Sequence, residues 1–154
     1  MTSLTIYNNE LVRDLTMVGS KPELEILRVS SCPNLTTLDG LTAVNCPKLQ
    51  ELDLSRNEAL SDLSALDHVA FPTLEELDLE GESKVSDITP LMGYANLTNL
   101  NLEKVDITAE NRQGYQQTIA SLTGLEELWM PYCEDVYKRQ EGIQPGTGPT
   151  ADDL

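Results

Sequence analysis

Residues that could carry out catalysis are few in this chain, and they are poorly placed for it. The single histidine, His68, lies in the stretch LDHVAFP, where no serine, cysteine or acid is arranged as in a catalytic triad. The chain has no phosphate-binding glycine loop, no HExxH motif and no acids at the spacing of an EF-hand calcium loop. The sequence therefore predicts a protein that is not an enzyme and that uses no metal or cofactor.

Carboxylates are the side chains whose spacing is most regular. The segments LQELDL and LEELDL place Glu51 and Asp53, and then Glu76 and Asp78, at the same positions 25 residues apart. Paired carboxylates can act as general acid and base. Here the periodicity of the repeat explains them, because each pair lies between leucines that recur with the same period.

These leucines belong to an internal repeat of the form LxxLxL. A recurrence every 20 to 30 residues indicates a solenoid built of short stacked units. Successive copies are separated by 23, 25, 25, 23 and 28 residues. The copies begin at Met1, Leu24, Leu49, Leu74, Leu97 and Leu125.

The repeat resembles the leucine-rich-repeat family over residues 1–136. The stretch VSDITPLMGYANLTNLNL looks like the short repeats of bacterial internalins and of protein phosphatase 1 regulatory subunits. The cysteine-bearing SCPNLTTL looks more like repeats of protist surface or cytosolic proteins, so the subtype stays open. The resemblance implies an α/β horseshoe of about six coils, with a parallel sheet on the concave face and protein binding as its function.

The return segments of the repeat, on the convex side, are expected to be mostly irregular or 3₁₀, because their apolar residues recur every third position. One longer segment is expected to form an α-helix near residues 109–122. Thr108 is the expected N-cap of this helix, and Tyr115, Ile119 and Leu122 would lie along one side of it.

A position shortly after each strand carries Asn or Cys in the family. The residues that match it are Asn9, Cys32, Asn57 and Cys133. Glu82 and Val105 depart from the pattern, so the resemblance predicts a ladder of such side chains that is interrupted in the middle. All three cysteines, which include Cys46, are expected to be buried packing residues, since their spacing fits neither a disulfide framework nor a zinc site.

Residues between the leucines should form the concave surface, because side chains alternate between the two faces of a strand. Its central column would read Thr5, Arg28, Asp53, Asp78, Asn101 and Trp129. We call Glu51, Asp53, Glu76 and Asp78 the acidic concave face. The predicted partner-binding residues are Arg28, Glu51, Asp53, Glu76, Asp78, Asn101, Trp129 and Tyr132. The alternatives are a merely solvated acidic surface, and a Trp129 covered by residues that follow it.

The charge balance narrows the class of partner. With 26 acidic and 10 basic side chains, the formal charge is −16, which disfavours nucleic acid and anionic membranes. No apolar run is long enough to span a membrane, and the first residues lack the pattern of a secretory signal. A protein with a basic patch is the expected partner. The cytoplasm is the favoured compartment, and an upstream signal would permit secretion instead.

The last segment, 137–154, has no repeat spacing and is rich in Pro and Gly, which predicts a flexible or non-native tail. Neither end of the array has a recognisable cap, so end-to-end self-association and membership of a longer array are further expectations. Three functions remain open at this point. They are a protein-binding scaffold, the recognition or regulatory segment of a larger multidomain enzyme or receptor, and a structural spacer.

Overall fold

In the computed structural model, residues 1–131 and the backbone of residues 137–138 are described. Six parallel strands follow one another in chain order across one sheet. They are β1 (Ser3–Tyr7), β2 (Ile26–Ser30), β3 (Glu51–Asp53), β4 (Glu76–Asp78), β5 (Asn99–Asn101) and β6 (Glu127–Trp129). A seventh strand, β7 (Tyr137–Lys138), pairs antiparallel with β6. The repeat pattern did not predict this pairing, and the rest of the proposed tail lies outside the described residues.

A column of leucines forms the inner side of the sheet. One leucine from each strand lies opposite the next, in the order Leu4, Leu27, Leu52, Leu77, Leu100 and Leu128. From Leu27 onward these side chains are at most 2% exposed. Burial of each leucine contributes about 1.5–3 kcal/mol to the free energy of folding. The repeat therefore predicts that the stacked column is the main source of stability.

The convex side carries short turns of 3₁₀ helix, as expected. They span Thr16–Val18, Ser64–Leu66 and Thr89–Leu91. An aspartate two residues before each turn accepts the backbone N–H of its first residue, at 2.8–2.9 Å. These aspartates are Asp14, Asp62 and Asp87. The bond gives each turn a fixed start, since a side-chain oxygen satisfies an N–H that has no partner within the turn.

The α-helix, α1, spans Arg112–Ser121 and begins later than predicted. Thr108 is not its N-cap. Instead, Asn111 Oδ1 accepts the Thr108 N–H at 2.7 Å, and Thr108 Oγ1 accepts the Asn111 N–H at 3.4 Å. This reciprocal pair holds residues 108–111 in a turn ahead of the helix. Tyr115, Ile119 and Leu122 are buried, as predicted from their spacing.

The ladder of polar side chains inside the coils reaches one coil further than predicted. Asn57 Oδ1 accepts the Cys32 N–H at 2.8 Å, and Glu82 Oε1 accepts the Asn57 N–H at 2.8 Å. The predicted interruption at Glu82 is therefore wrong, because its Oε1 atom accepts the same bond that an asparagine side-chain oxygen would. Cys32 and Cys46 are buried with free thiols, as predicted, whereas Cys133 lies outside the described residues.

Candidate partner-binding surface

Strand pairing places the predicted concave residues in register. Asp53 lies opposite Asp78, Asp78 opposite Asn101, and Asn101 opposite Trp129. Thr5 and Arg28 continue this column toward the first strand. The alignment of the repeats therefore predicts the neighbours on the concave face correctly, although it does not by itself assign them a role.

A shallow pocket of about 190 Å³ lies on the concave side across β3 to β6. Six of the eight predicted residues line it: Glu51, Asp53, Glu76, Asp78, Asn101 and Trp129. Asn99 also lines it and was not among the predicted residues, although its position beside Glu76 in the repeat could have identified it. Leu52, Leu77 and Leu100 complete the lining. The pocket thus brings together carboxylates, amides and one indole.

The two remaining predicted residues lie outside this pocket. Arg28 is on the neighbouring strand β2, where its Nη2 lies 2.7 Å from Oε1 of Glu51. Tyr132 is outside the described residues. Tyr7, a lesser aromatic candidate near the end of β1, is 68% exposed but does not line the pocket. The candidate site is therefore narrower than the predicted one.

The basic side chains near the sheet form ion pairs with only some of its carboxylates. Glu80 takes up two of them, with Lys104 Nζ at 3.0 Å and Arg56 Nη2 at 3.8 Å from its Oε1. Within the described part of the chain, Asp53, Glu76 and Asp78 form no salt bridge. The negative charge is thus least compensated in the middle of the pocket.

The pKa values of two pocket carboxyls reflect this excess of negative charge. Burial raises the pKa of Glu76 above its usual value, and the charges of Glu51 and Glu75 raise it further. Burial also raises the pKa of Asp78, with a smaller contribution from Asp53, although the Glu80 N–H acts in the opposite direction. A cation placed between these carboxylates would therefore be attracted to the site.

Part of the acidic pattern has a structural explanation. Asp53, Asp78 and Asn101 each use Oδ1 to accept the backbone N–H two residues further on, at 2.9, 2.8 and 3.0 Å. This bond ends each strand in the same turn and is available to Asp and Asn alike. Asn101 shows that the turn itself does not require a negative charge. The turn therefore does not explain why two of the three positions carry the charged aspartate instead of asparagine.

Trp129 presents the only indole of the chain at one end of the pocket. Its flanking residues, Leu128 and Met130, are buried, whereas Trp129 itself is 39% exposed. The outward direction follows from the alternation of side chains along a strand, and it was predicted. Tryptophan is over-represented among residues that dominate binding energy at interfaces, so its position beside the carboxylates defines the candidate site.

Nowhere in residues 1–131 do three His, Cys, Asp or Glu side chains come together in a way that could hold a metal ion. Among the same residues, no helix is long and apolar enough to cross a membrane.

Comparison with known proteins agrees with this architecture. The family model described as "Leucine Rich repeats (2 copies)" matches residues 22–68. The six successive coils and their parallel sheet have the leucine-rich-repeat fold, and the matched segment lies within this array. Leucine-rich-repeat domains generally mediate protein–protein interactions and are typically not catalytic.

A solved structure shares this fold. It is the crystal structure of an internalin (inlF) from Listeria monocytogenes, with 21% sequence identity and a TM-score of 0.50. The match covers 86% of this chain and 48% of the internalin chain, so the protein spans about half the length of that structure. No curated protein matches the sequence.

Proposed function

We propose that this leucine-rich-repeat protein binds an extended, basic segment of a protein partner across its concave face. The observation that carries the proposal is the combination of unpaired carboxylates, Asp53, Glu76 and Asp78, with the exposed Trp129 in one pocket. Charge complementarity of this kind increases the rate of encounter and selects among partners. An aromatic side chain at the edge of such a site adds affinity.

Strand spacing supports an estimate of how a peptide would fit. Neighbouring strands lie about 4.8 Å apart, and a peptide in the extended polyproline II conformation advances about 3.1 Å per residue and returns every third side chain to the same face. Asp78 and Trp129 lie two strands apart, on β4 and β6. A peptide crossing the strands would therefore place side chains about three residues apart over these two positions.

The same estimate gives the chemistry of each side chain in the ligand. A Lys or Arg would lie over Asp78, and an apolar or second basic side chain would pack on the Trp129 indole, which attracts both. On the opposite side, Arg28 lies two strands from Asp78 and is the place for an acidic side chain. The preferred ligand therefore has the order acidic, two spacers, basic, two spacers, and apolar or basic.

Synthetic peptides without tryptophan provide a direct test, because Trp129 is the only tryptophan and its fluorescence reports on the pocket. Peptides would carry one Lys and one Leu separated by one, two, three or four spacer residues. We expect tightest binding with two spacers, and binding that weakens as salt increases. Absence of saturable binding by every peptide would contradict the proposal and favour a structural spacer.

Charge-reversed variants locate the binding site. The pocket variant combines Glu51→Lys, Asp53→Lys, Glu76→Lys and Asp78→Lys. The control variant combines Glu10→Lys, Asp39→Lys, Glu58→Lys and Glu110→Lys, which are exposed, lie outside the pocket and change the net charge equally. We expect only the pocket variant to lose binding. Equal loss in both variants would show that net charge alone attracts the peptide. A role as the recognition segment of a larger protein would use the same surface and meets the same test.

A further inference from the structure

Glu82 is a buried carboxyl group that the proposed binding function does not use. Its side chain is 0% exposed, and Oε1 accepts the Asn57 N–H at 2.8 Å. Its other oxygen, Oε2, has no hydrogen-bond partner among the described residues. A buried oxygen without a partner is costly, and a buried negative charge without a partner is costlier still.

The charged groups around Glu82 are carboxylates. Burial raises the pKa of Glu82 to about 8, while the Asn57 N–H acts in the opposite direction. Asp78 of β4, Asp53 of β3 and Glu58 in the loop after β3 raise the pKa further. The cations on the neighbouring loops, Arg56 and Lys104, both pair with Glu80 instead. Glu82 therefore lacks a positive partner.

We propose that Glu82 is a protonation-controlled joint between the third and fourth coils of the array. With a proton on Oε2 the neutral side chain completes the ladder through Asn57. When that proton is released to solvent, the buried charge favours an open form in which the loop after β4 admits water. This inference is independent of the partner-binding proposal.

The backbone around Gly81 and Glu82, in the loop after β4, has features that permit local opening. Gly81, immediately before Glu82, adopts a positive φ of 83°, and its N–H donates to Glu103 O at 2.9 Å. The Glu82 N–H donates to Leu79 O at a longer 3.3 Å. Two further backbone bonds lie within the segment itself, from Ser83 N–H to Gly81 O at 3.0 Å and from Val85 N–H to Glu82 O at 3.2 Å. The bond between Asn57 and Cys32 lies one coil away and does not involve the loop. Opening would therefore begin at the Glu82 end of the ladder.

The direction in which stability changes with pH follows from the linkage between protonation of Glu82 and folding. Because the pKa of Glu82 in the folded protein is raised, the folded state keeps a proton that the unfolded state has already lost. Stability therefore falls as pH rises from the ordinary carboxyl range to about 8, and then levels off. Between pH 6 and pH 9 the unfolding equilibrium constant should rise about a hundredfold from this group alone.

Urea unfolding at pH 6 and pH 9 tests the proposal with two matched variants. Glu82→Gln keeps an oxygen that can accept the Asn57 N–H but cannot ionise, and Glu58→Gln removes an exposed carboxylate nearby. We expect the wild type and Glu58→Gln to be destabilised alike at pH 9, and Glu82→Gln to lose most of this dependence. The proposal is overturned if all three share the same dependence.

A measurement on the wild type keeps the proposal testable if Glu82→Gln does not fold. The ¹³C resonance of the Glu82 carboxyl should titrate near pH 8, and a titration below pH 6 would overturn the proposal. Hydrogen exchange of the Asn57 amide should also accelerate across the same range, beyond the intrinsic increase with base. Unchanged protection of this amide through pH 9 would refute the opening step.

Discussion

Asp53 and Asp78 lie directly opposite each other on the neighbouring parallel strands β3 and β4. Both accept the backbone N–H two residues further on, so the same turn ends each strand. Like charges in this arrangement are destabilising. The burial of Leu52 and Leu77 on the same two strands stabilises the array by more than this repulsion destabilises it. A bound cation would relieve the repulsion, which links the stability of the array to its proposed binding function.

Removal of one of these charges should stabilise the free protein. In Asp78→Asn the side-chain oxygen still accepts the Glu80 N–H, as Asn101 accepts that of Glu103. We expect a gain of about 0.5–1 kcal/mol in the free energy of unfolding at pH 7. The pKa of Asp78 is raised in the folded state, so its destabilising effect grows with rising pH through the carboxyl range and disappears in acid. Urea unfolding at pH 4 and pH 7 measures both effects, and a less stable variant at pH 7 would contradict the account.

Truncation of the leucine column should be severe. Leu77 is 2% exposed at the centre of the sheet, and Leu77→Ala should cost about 2–5 kcal/mol through the cavity it leaves. Glu76→Lys changes the exposed neighbour on the same strand and should leave the fold intact. Chemical denaturation of the two variants side by side provides the measurement. An unfolding midpoint unchanged by Leu77→Ala would disprove the position of Leu77 in the core.

Loss of the Asn57 side chain should destabilise the ladder. Asn57→Ala leaves the buried Cys32 N–H without its acceptor and Val29 O without its donor from Asn57 Nδ2. At about 1–3 kcal/mol for each of these two unsatisfied groups, the cost should be about 2–6 kcal/mol. Asn96→Ala is the control, because the bond from Asn96 to Pro72 O is solvent-exposed and should contribute much less. Equal thermal midpoints for the two variants would contradict the importance of the ladder.

Trp129 should contribute more to binding than any other exposed aromatic residue of the described chain. If the concave face binds a basic peptide, Trp129→Ala should weaken the affinity at least tenfold, since tryptophan in such a position is often a binding hot spot. Tyr7→Ala removes an aromatic ring that is exposed but lies outside the pocket, and it should leave affinity unchanged. Calorimetry with the best peptide measures both variants. Similar losses from both changes would argue against the pocket.

The amino-acid sequence by itself determined the repeating parts of this protein. The period of the leucines predicts the strands, their order and the facing pairs, such as Asp53 with Asp78, because each coil can bury its leucines only against the next. The alternation of side chains along a strand likewise predicts an exposed Trp129.

Only the tertiary structure decided how individual polar side chains are satisfied. The later start of the helix depends on a reciprocal pair between Thr108 and Asn111, and the extended ladder depends on how far the Glu82 side chain reaches toward Asn57. The salt bridge of Arg28 with Glu51, and the absence of one at Asp78 among the described residues, depend equally on distances between coils. Apolar burial follows from a pattern that recurs along the chain, whereas hydrogen bonds and charge effects depend on ångström-scale positions that no linear spacing specifies.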